Sequence, residues 1–380
     1  MDFQLTEEQK MFQTMVRDFA TNEVKPLAAK IDEEGKCPLQ LVKKAGELGL
    51  FGLTIAEEYG GCGADYVCMA LAAEELCRAS ASIGTIFLAS LSLACYPIYK
   101  FGNEEQKKKY VTPLAKGEKL ACFALTESGA GSDAGALETS ATLQGDKYII
   151  NGTKIFITNG AEAETVVVFA TIDKSLGNRG ITAFIVEKGT PGFSVGKEEN
   201  KLGIRGSSTT ELIFDNCQIP AKNLLGEHGR GLRIALEAID SSRVTVAAQA
   251  VGIAQAALDD SLTYAKDRRQ FKEPLASFQA IQWMLADMAT HIDAARLLTY
   301  RAAWLKDHNM PFMKEAAMAK VYAAETSRLA TNNAVQIHGG YGYCRDYPVE
   351  RYLRDAKITE IYEGTSEMQR MTIARALLKD

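Results

Sequence analysis

The chain is poor in histidine. His228, His291, His308 and His338 are the only four, and none stands at H-x-x-x-H spacing with a carboxylate. A dedicated metal site is therefore not expected. Its eight cysteines (Cys37, Cys62, Cys68, Cys77, Cys95, Cys122, Cys217 and Cys344) form no C-x-x-C pair. They lack the density of a disulfide scaffold, so free, mostly buried thiols in a reducing compartment are expected. Basic charge is not in excess either. Lys and Arg number 43 against 48 Asp and Glu, a net charge of −5, and the cations are spread along the chain. That argues against a nucleic-acid partner. The opening Met1-Asp2-Phe3-Gln4-Leu5 has no basic or apolar leader, and a cytoplasmic location is expected. Nor is a membrane span expected, since that takes a run of about 18 uncharged apolar residues.

What is present is an ordinary globular composition, 47% hydrophobic and 24% charged over 380 residues, enough for a large core and two or three domains. Residues 1–118 read as helices. Thr6-Glu7-Glu8-Gln9 has the pattern of a capping box, apolar residues recur at Met11, Met15 and Phe19, and Tyr66 to Tyr99 is an Ala-rich stretch fit for a helix pair buried on most sides. From 119 to 225 the character changes to β-branched runs at 165–172 and 181–186. The segment 147–157 is expected to turn at Asn151-Gly152 between two short strands. No helical pattern separates these strands, which predicts an antiparallel β unit. From 226 to 380 long Ala-rich helices return at about 232–264, 278–306 and 314–336, a pattern of antiparallel bundles.

Three segments carry candidate chemistry. Thr126-Glu127-Ser128-Gly129-Ala130-Gly131-Ser132-Asp133 is Gly-rich but spells G-x-G-x-x-x-G and opens no βαβ helix, so it is not a dinucleotide fingerprint. No Gly-Lys-Ser/Thr follows it, so it is not a P-loop. It is either a plain surface turn or a cradle of unhindered N–H groups and hydroxyls. Phe156-Ile157-Thr158-Asn159-Gly160 ends a strand, where an aromatic alone reads as core. Ile361-Tyr362-Glu363-Gly364-Thr365-Ser366-Glu367 precedes a closing amphipathic helix. Glu363 is either an exposed loop residue or a carboxylate held dry enough to take a weakly acidic C–H proton. Asp240 and Arg243 alone read as a solvated i,i+3 ion pair.

Together and in this order the three segments resemble the acyl-CoA dehydrogenase family, and the resemblance runs from Met1 to Asp380. It implies an α+β fold: an N-terminal α-helical domain, a middle antiparallel β domain and a C-terminal four-helix bundle. It implies FAD as cofactor, an acyl-CoA substrate, electron-transfer flavoprotein as acceptor and a homotetramer. Carried over by position, Phe123, Leu125, Thr126, Gly131 and Ser132 would meet the flavin, with Ser132 also touching substrate. Phe156, Ile157 and Thr158 would pack on or bond to the flavin ring. Arg268, Gln279, Gln336, Gly339 and Gly340 would reach the adenine-diphosphate end of a flavin bound mostly by a neighbouring subunit. Asp240, Arg243 and Gly364 would meet acyl-CoA, Thr365 and Glu367 would meet FAD, and Glu363 would be the catalytic base. Two positions depart from the pattern: Ser128 stands where the family usually has Pro, and Phe156 where it usually has Trp.

Some relatives carry the base one residue before the matching Arg. Here that position is Ser242, which leaves Glu363. Relatives acting on a diacid place an Arg at the position of Thr85; with Ile86, Phe87 and Leu88 beside it as the expected pocket floor, a diacid is not expected and a short acyl chain is. Two alternatives remain: an acyl-CoA oxidase, typically much longer with a second C-terminal domain, and a non-catalytic acyl-CoA-binding relative, which would be expected to lose the base or the flavin cluster.

Overall fold

The structure, a computed structural model, describes residues 4–378. Helix α1 (Glu7–Phe19) opens with the expected capping box: the Thr6 hydroxyl accepts from the Gln9 N–H and the Gln9 side chain returns to the Thr6 N–H. The central helices of the first region are α2 (Tyr66–Ala79) and α3 (Ala81–Leu88), continued by a π-helical stretch, Ala89–Cys95. The widening has a local cause. Pro97 has no N–H to give the carbonyl of Leu93, and the Tyr96 N–H bonds instead to Leu91.

This stretch does hold an uncharged apolar run of membrane length, against the reading that none exists. The continuous helical run Ala81–Phe101, 21 residues, is long and apolar enough to cross a membrane by length and composition, but 89% of its apolar window is buried inside the protein. Its hydrophobicity serves packing on both sides.

The middle region is an eight-stranded sheet. Its strands are β1 (Ala121–Ala124), β2 (Ser140–Gln144), β3 (Lys147–Thr158), β4 (Thr165–Thr171), β5 (Ile181–Glu187), β6 (Phe193–Glu198), β7 (Thr209–Pro220) and β8 (Leu224–Leu225). They lie in the order β6-β7-β3-β2-β4-β5-β8, with β1 paired to β4. Pairing is antiparallel except where β1 and the start of β2 meet β4. β4 is buried along its whole length. Val166, Val168 and Ala170 face the sheet's own core, and Val167 and Phe169 face the helices, which is why it reads as an unbroken β-branched run and not as alternation.

Asn151-Gly152 does not turn the chain. β3 runs through it unbroken, with a register shift against β7 between Ile150 and Gly152. Gly152 has φ 149°, and a Cβ there would lie 2.8 Å from the Thr139 Cα. It is a bulge made for close approach. The hairpin turn is Gly145-Asp146, between the paired Gln144 and Lys147.

The third region holds α4 (Gly231–Asp267), α5 (Gln279–Asp307), α6 (Met313–His338), α7 (Val349–Ala356) and α8 (Ser366–Leu377). Helix α4 crosses α2 so closely that a Cβ on Gly252 would lie 2.2 Å from the Glu74 carbonyl oxygen. Buried charges fasten α2 to its other neighbours: Glu74 takes Arg296 and the Tyr300 hydroxyl from α5, and Glu75 takes Arg17 from α1.

Candidate active site

A cleft opens where the three regions meet. It is lined by Thr85, Leu88, Ala89 and Leu93 from α3 and the π-helical stretch, Phe123, Leu125 and Thr126 from the end of β1, Phe156 to Thr158 from the end of β3, Ile239 from α4, and Tyr362 and Glu363. Two of the three motifs thus meet the base candidate, although the chain separates them by more than 200 residues.

The β3 end is shaped for this. A second register shift lies between Lys154 and Ile157, and Phe156 adopts φ 58°. Left-handed backbone at a bulky residue costs about 1–3 kcal/mol and marks a functional constraint. Here it turns the ring out of the sheet: Phe156 is 60% exposed and lines the cleft, so it is not core. Asn159, also left-handed and fully buried, gives its amide to the carbonyls of Ile86 and Ala121 and ties this strand end to α3 and β1. The Gly-rich loop is anchored at its base. Glu127 and Ala130 exchange backbone hydrogen bonds around Ser128-Gly129 at 3.1 Å each, so the turn closes with Ser128 in place of Pro. Glu127, buried, accepts from Lys154 Nζ at 2.7 Å.

Glu363 sits at φ 53° and Gly364 at φ 91°. Glu363 is half-buried, and its Oε2 is shielded from solvent with no hydrogen-bond partner among the described residues. Burial pushes the carboxyl up to about 7. The Ser242 hydroxyl, then the charges of Lys320 and Arg243, pull the other way without cancelling it. Arg243 is buried and bonds Asp240 at 2.6 Å, so this pair is no solvated helix pair. Its Nε has no partner among the described residues.

Not every expected residue lies in the cleft. Ile86 and Phe87 turn into the helical core, Phe87 against Phe51, because α3 presents only the face of Thr85 and Leu88 to the opening. Gly131 and Ser132 stand exposed on the loop. The Thr365 hydroxyl accepts from the Met368 N–H as the cap of α8, and Glu367 is exposed in that helix's first turn. Arg268, Gly339 and Gly340 line a second cavity with Tyr264, Gln270 and Tyr341, with Gln279 and Gln336 exposed on the starting turn of α5 and the last turn of α6. A Cβ on Gly340 would meet nothing within 4 Å, and Gly339 has φ 61°, so backbone here is open to a ligand.

Sequence reading missed the groups behind the cleft. Tyr362 hydrogen-bonds Gln249 through its hydroxyl, and Gln249 donates to the Thr85 hydroxyl at 2.9 Å. Lys320, fully buried, donates to the Gly364 carbonyl at 2.7 Å. A lone polar residue on a buried alanine face, as at Gln249 and Lys320, was the available signal.

A left-handed aromatic strand end, an open glycine-lined cavity and a carboxylate with a shielded, unpaired oxygen together fit a flavin-dependent oxidoreductase that abstracts a proton from carbon. The chain belongs to the acyl-CoA dehydrogenase family. Models of the acyl-CoA dehydrogenase N-terminal, middle and C-terminal domains match residues 6–118, 122–217 and 229–378. An "Acyl-CoA dehydrogenase, short-chain specific" of Clostridium acetobutylicum is 51% identical over 379 residues, covering 100% of both chains. The structure of butyryl-CoA dehydrogenase from Megasphaera elsdenii superposes with a TM-score of 0.98 at 48% identity, again over 100% of both chains. An acyl-CoA dehydrogenase complexed with FAD from Bacillus anthracis does so with a TM-score of 0.93 at 39% identity, over 98% of this chain and 67% of that one. The chain is an oxidoreductase of this family, and FAD is its cofactor.

Proposed function

We propose that this protein dehydrogenates short-chain acyl-CoA thioesters to trans-2-enoyl-CoA in the cytoplasm, with Glu363 as the general base. The observation that carries this is the half-buried Glu363, whose Oε2 is shielded from solvent and unpaired among the described residues, in a cleft walled by Phe123, Leu125, Thr126 and Phe156 to Thr158. Bound FAD supplies the acceptor for the hydride that leaves the β carbon. The protein's part is to take the α proton on Glu363 and to exclude water around it. The Glu363 N–H makes no hydrogen bond to another described residue and can donate to the thioester oxygen as charge develops there. Phe123, Leu125, Thr126, Phe156, Ile157 and Thr158 would hold the flavin ring, with Gly131, Ser132, Thr365 and Glu367 at its edges. Arg243, Asp240, Ser132 and Gly364 would meet the thioester.

The acyl end is bounded. Leu88, Ala89, Leu93 and Ile239 are apolar, but behind them stands the hydrogen-bonded Thr85–Gln249–Tyr362 chain, in which Thr85 and Gln249 are buried. A longer acyl chain must break that chain and leave Gln249 unpaired, at about 1–3 kcal/mol. Each methylene that fits gains about 0.8 kcal/mol. The best kcat/KM should therefore fall at about four to six carbons, with a steep decline beyond. Turnover of an acyl-CoA panel tests this, and a best substrate of about twelve carbons or more would defeat it. Electron-transfer flavoprotein is the proposed acceptor; rapid reoxidation by oxygen instead would favour the oxidase reading.

Arg268, Gln279, Gln336, Gly339 and Gly340 would serve the flavin of a neighbouring subunit in a homotetramer. Two features support this. The second cavity shares no residue with the cleft. Helix α5 also exposes Trp283, Leu297 and Trp304, spaced by multiples of seven and hence on one face. A flavin-loaded monomer in sedimentation would sink this assembly.

A further inference from the structure

The turn that carries Glu363 is held from behind by two donors. Lys320 lies in α6 on a face otherwise built of Ala316, Ala319, Ala323 and Ala324. A buried ammonium is expensive unless its hydrogens are used. Its hydrogen bond goes to a backbone carbonyl, that of Gly364, at 2.7 Å. Gln369 Nε2 reaches the same oxygen at 2.8 Å and the Glu363 carbonyl at 3.3 Å. Both carbonyls of the left-handed Glu363-Gly364 pair are thereby fixed, and a Cβ on Gly364 would lie 2.7 Å from Gln369 Nε2.

We propose that Lys320 is a positioning residue for the dehydrogenation: it locks the Glu363-Gly364 turn and sets a buried positive charge beside the general base. This rests on Glu363 being that base. The groups that face Glu363 are Ser242 and Arg243 from α4 and Lys320 from α6. Those that face Lys320 are Glu363, Arg243, Glu360 and Glu367. Burial lowers Lys320 to about 8, and the neighbouring Glu363 works against that. Below about 8 the ammonium is therefore present and favours the ionised carboxylate; without it Glu363 must titrate at higher pH.

The test uses Lys320→Met, which keeps length and leaves Gln369 on the Gly364 carbonyl, and Lys320→Gln, which keeps a donor but no charge. The carboxyl signal that vanishes in Glu363→Gln identifies the base in infrared titrations of apoprotein and FAD-loaded enzyme. In both Lys320 variants its midpoint should move up by about one pH unit. The acid limb of kcat should move with it, while KM for butyryl-CoA stays within about twofold. Lys320→Gln should retain more of kcat at pH 8 than Lys320→Met, because its amide can still hold the turn. If Lys320→Met does not fold, Lys320→Gln decides alone. An unmoved midpoint with an inactive Glu363→Gln overturns the role of Lys320 and leaves the base intact. Full turnover by Glu363→Gln removes the base assignment, and the proposal with it.

Discussion

Two carboxylates with oxygens shielded from solvent, Glu127 buried and Glu363 half-buried, each near a buried lysine, behave in opposite ways in this molecule. Glu127 in the sheet region accepts from Lys154 Nζ at 2.7 Å, the Glu138 N–H at 2.7 Å and the Thr139 N–H at 3.0 Å. Burial alone would raise its pKa, but the charge and hydrogen bonds of Lys154 outweigh it and hold the carboxyl below its ordinary value. Glu363 in the helical region has an oxygen with no partner, and its lysine spends its hydrogen bond on a carbonyl. There burial wins, and the carboxyl rises to about 7. Burial lowers both lysines to about 8. What differs is where the hydrogen bonds go. A fully bonded carboxylate is a clamp, here for the loop after Leu125, whose carbonyl Lys154 also holds at 3.1 Å. A carboxylate left short of donors is free to take a proton, as the proposed role of Glu363 requires.

The contrast breaks first at Glu363. Glu363→Gln should fold and bind acyl-CoA yet lose at least about a hundredfold in kcat, within the usual 10²–10⁴ for general-base removal. It should also gain stability. A carboxyl whose folded pKa lies above its unfolded one favours the folded state fully only below the unfolded value, and that advantage is lost as pH rises through about 7. Glu363→Gln should therefore melt above the parent at pH 8, with the gap closing toward pH 5. Equal melting temperatures at pH 8 would show that burial is not what raises Glu363.

Lys154→Met is the opposite experiment. It strands Glu127 in the interior, and breaking a buried pair from one side costs about 3–5 kcal/mol. Because the same ammonium holds the Leu125 carbonyl, FAD retention through gel filtration should drop as well. A loss under about 1 kcal/mol in denaturant titration would mean that Glu127 is not a clamp.

Much of this was legible beforehand. The helix–sheet–helix order followed from periodicities, because a 37-residue Ala-rich α4 and a β-branched β4 each leave a long signal. Glu363 was singled out through its motif, since nothing local distinguishes a loop glutamate whose carboxylate will be shielded from solvent. What failed was local geometry. Asn151-Gly152 has turn chemistry, but pairing with β7 on one side and β2 on the other kept β3 extended through it. The uncharged run ahead of Lys100 was passed over as a span of membrane length, and the fold buries it in protein. Lys320 and Gln249 stayed hidden because a polar residue in an alanine-rich helix shows its importance only when its partner, some 40 or more residues away, arrives.

The pH dependence sharpens the comparison on the active enzyme. As the proposed base Glu363 would act only when ionised, so kcat/KM should fall on the acid side with a midpoint near 7, about tenfold between pH 8 and pH 6. Glu127 should leave no mark in that range, since its titration lies well below it. An acid limb near 4.5 instead would give Glu363 the solvated character of an ordinary surface carboxylate.

The smallest effect belongs to Ser242. Its hydroxyl donates to the Ile239 carbonyl at 3.0 Å, yet it also lies where it lowers the pKa of Glu363. One proton cannot serve both acceptors at once, so Glu363 receives at most part of a hydrogen bond, where Glu127 receives three whole ones. Removing it in Ser242→Ala should raise the acid limb of kcat/KM slightly. The loss at pH 6 should be between about twofold and tenfold, the span of a single net hydrogen bond of about 0.5–1.5 kcal/mol. At pH 8.5 or above, where Glu363 is ionised with or without help, the rate should return close to the parent's. A loss of the same size at every pH would show that Ser242 touches the substrate and not the charge of the base. No change at any pH would mean that Ile239 keeps the proton, and that Glu363 relies on Lys320 and Arg243 alone to favour its ionised form.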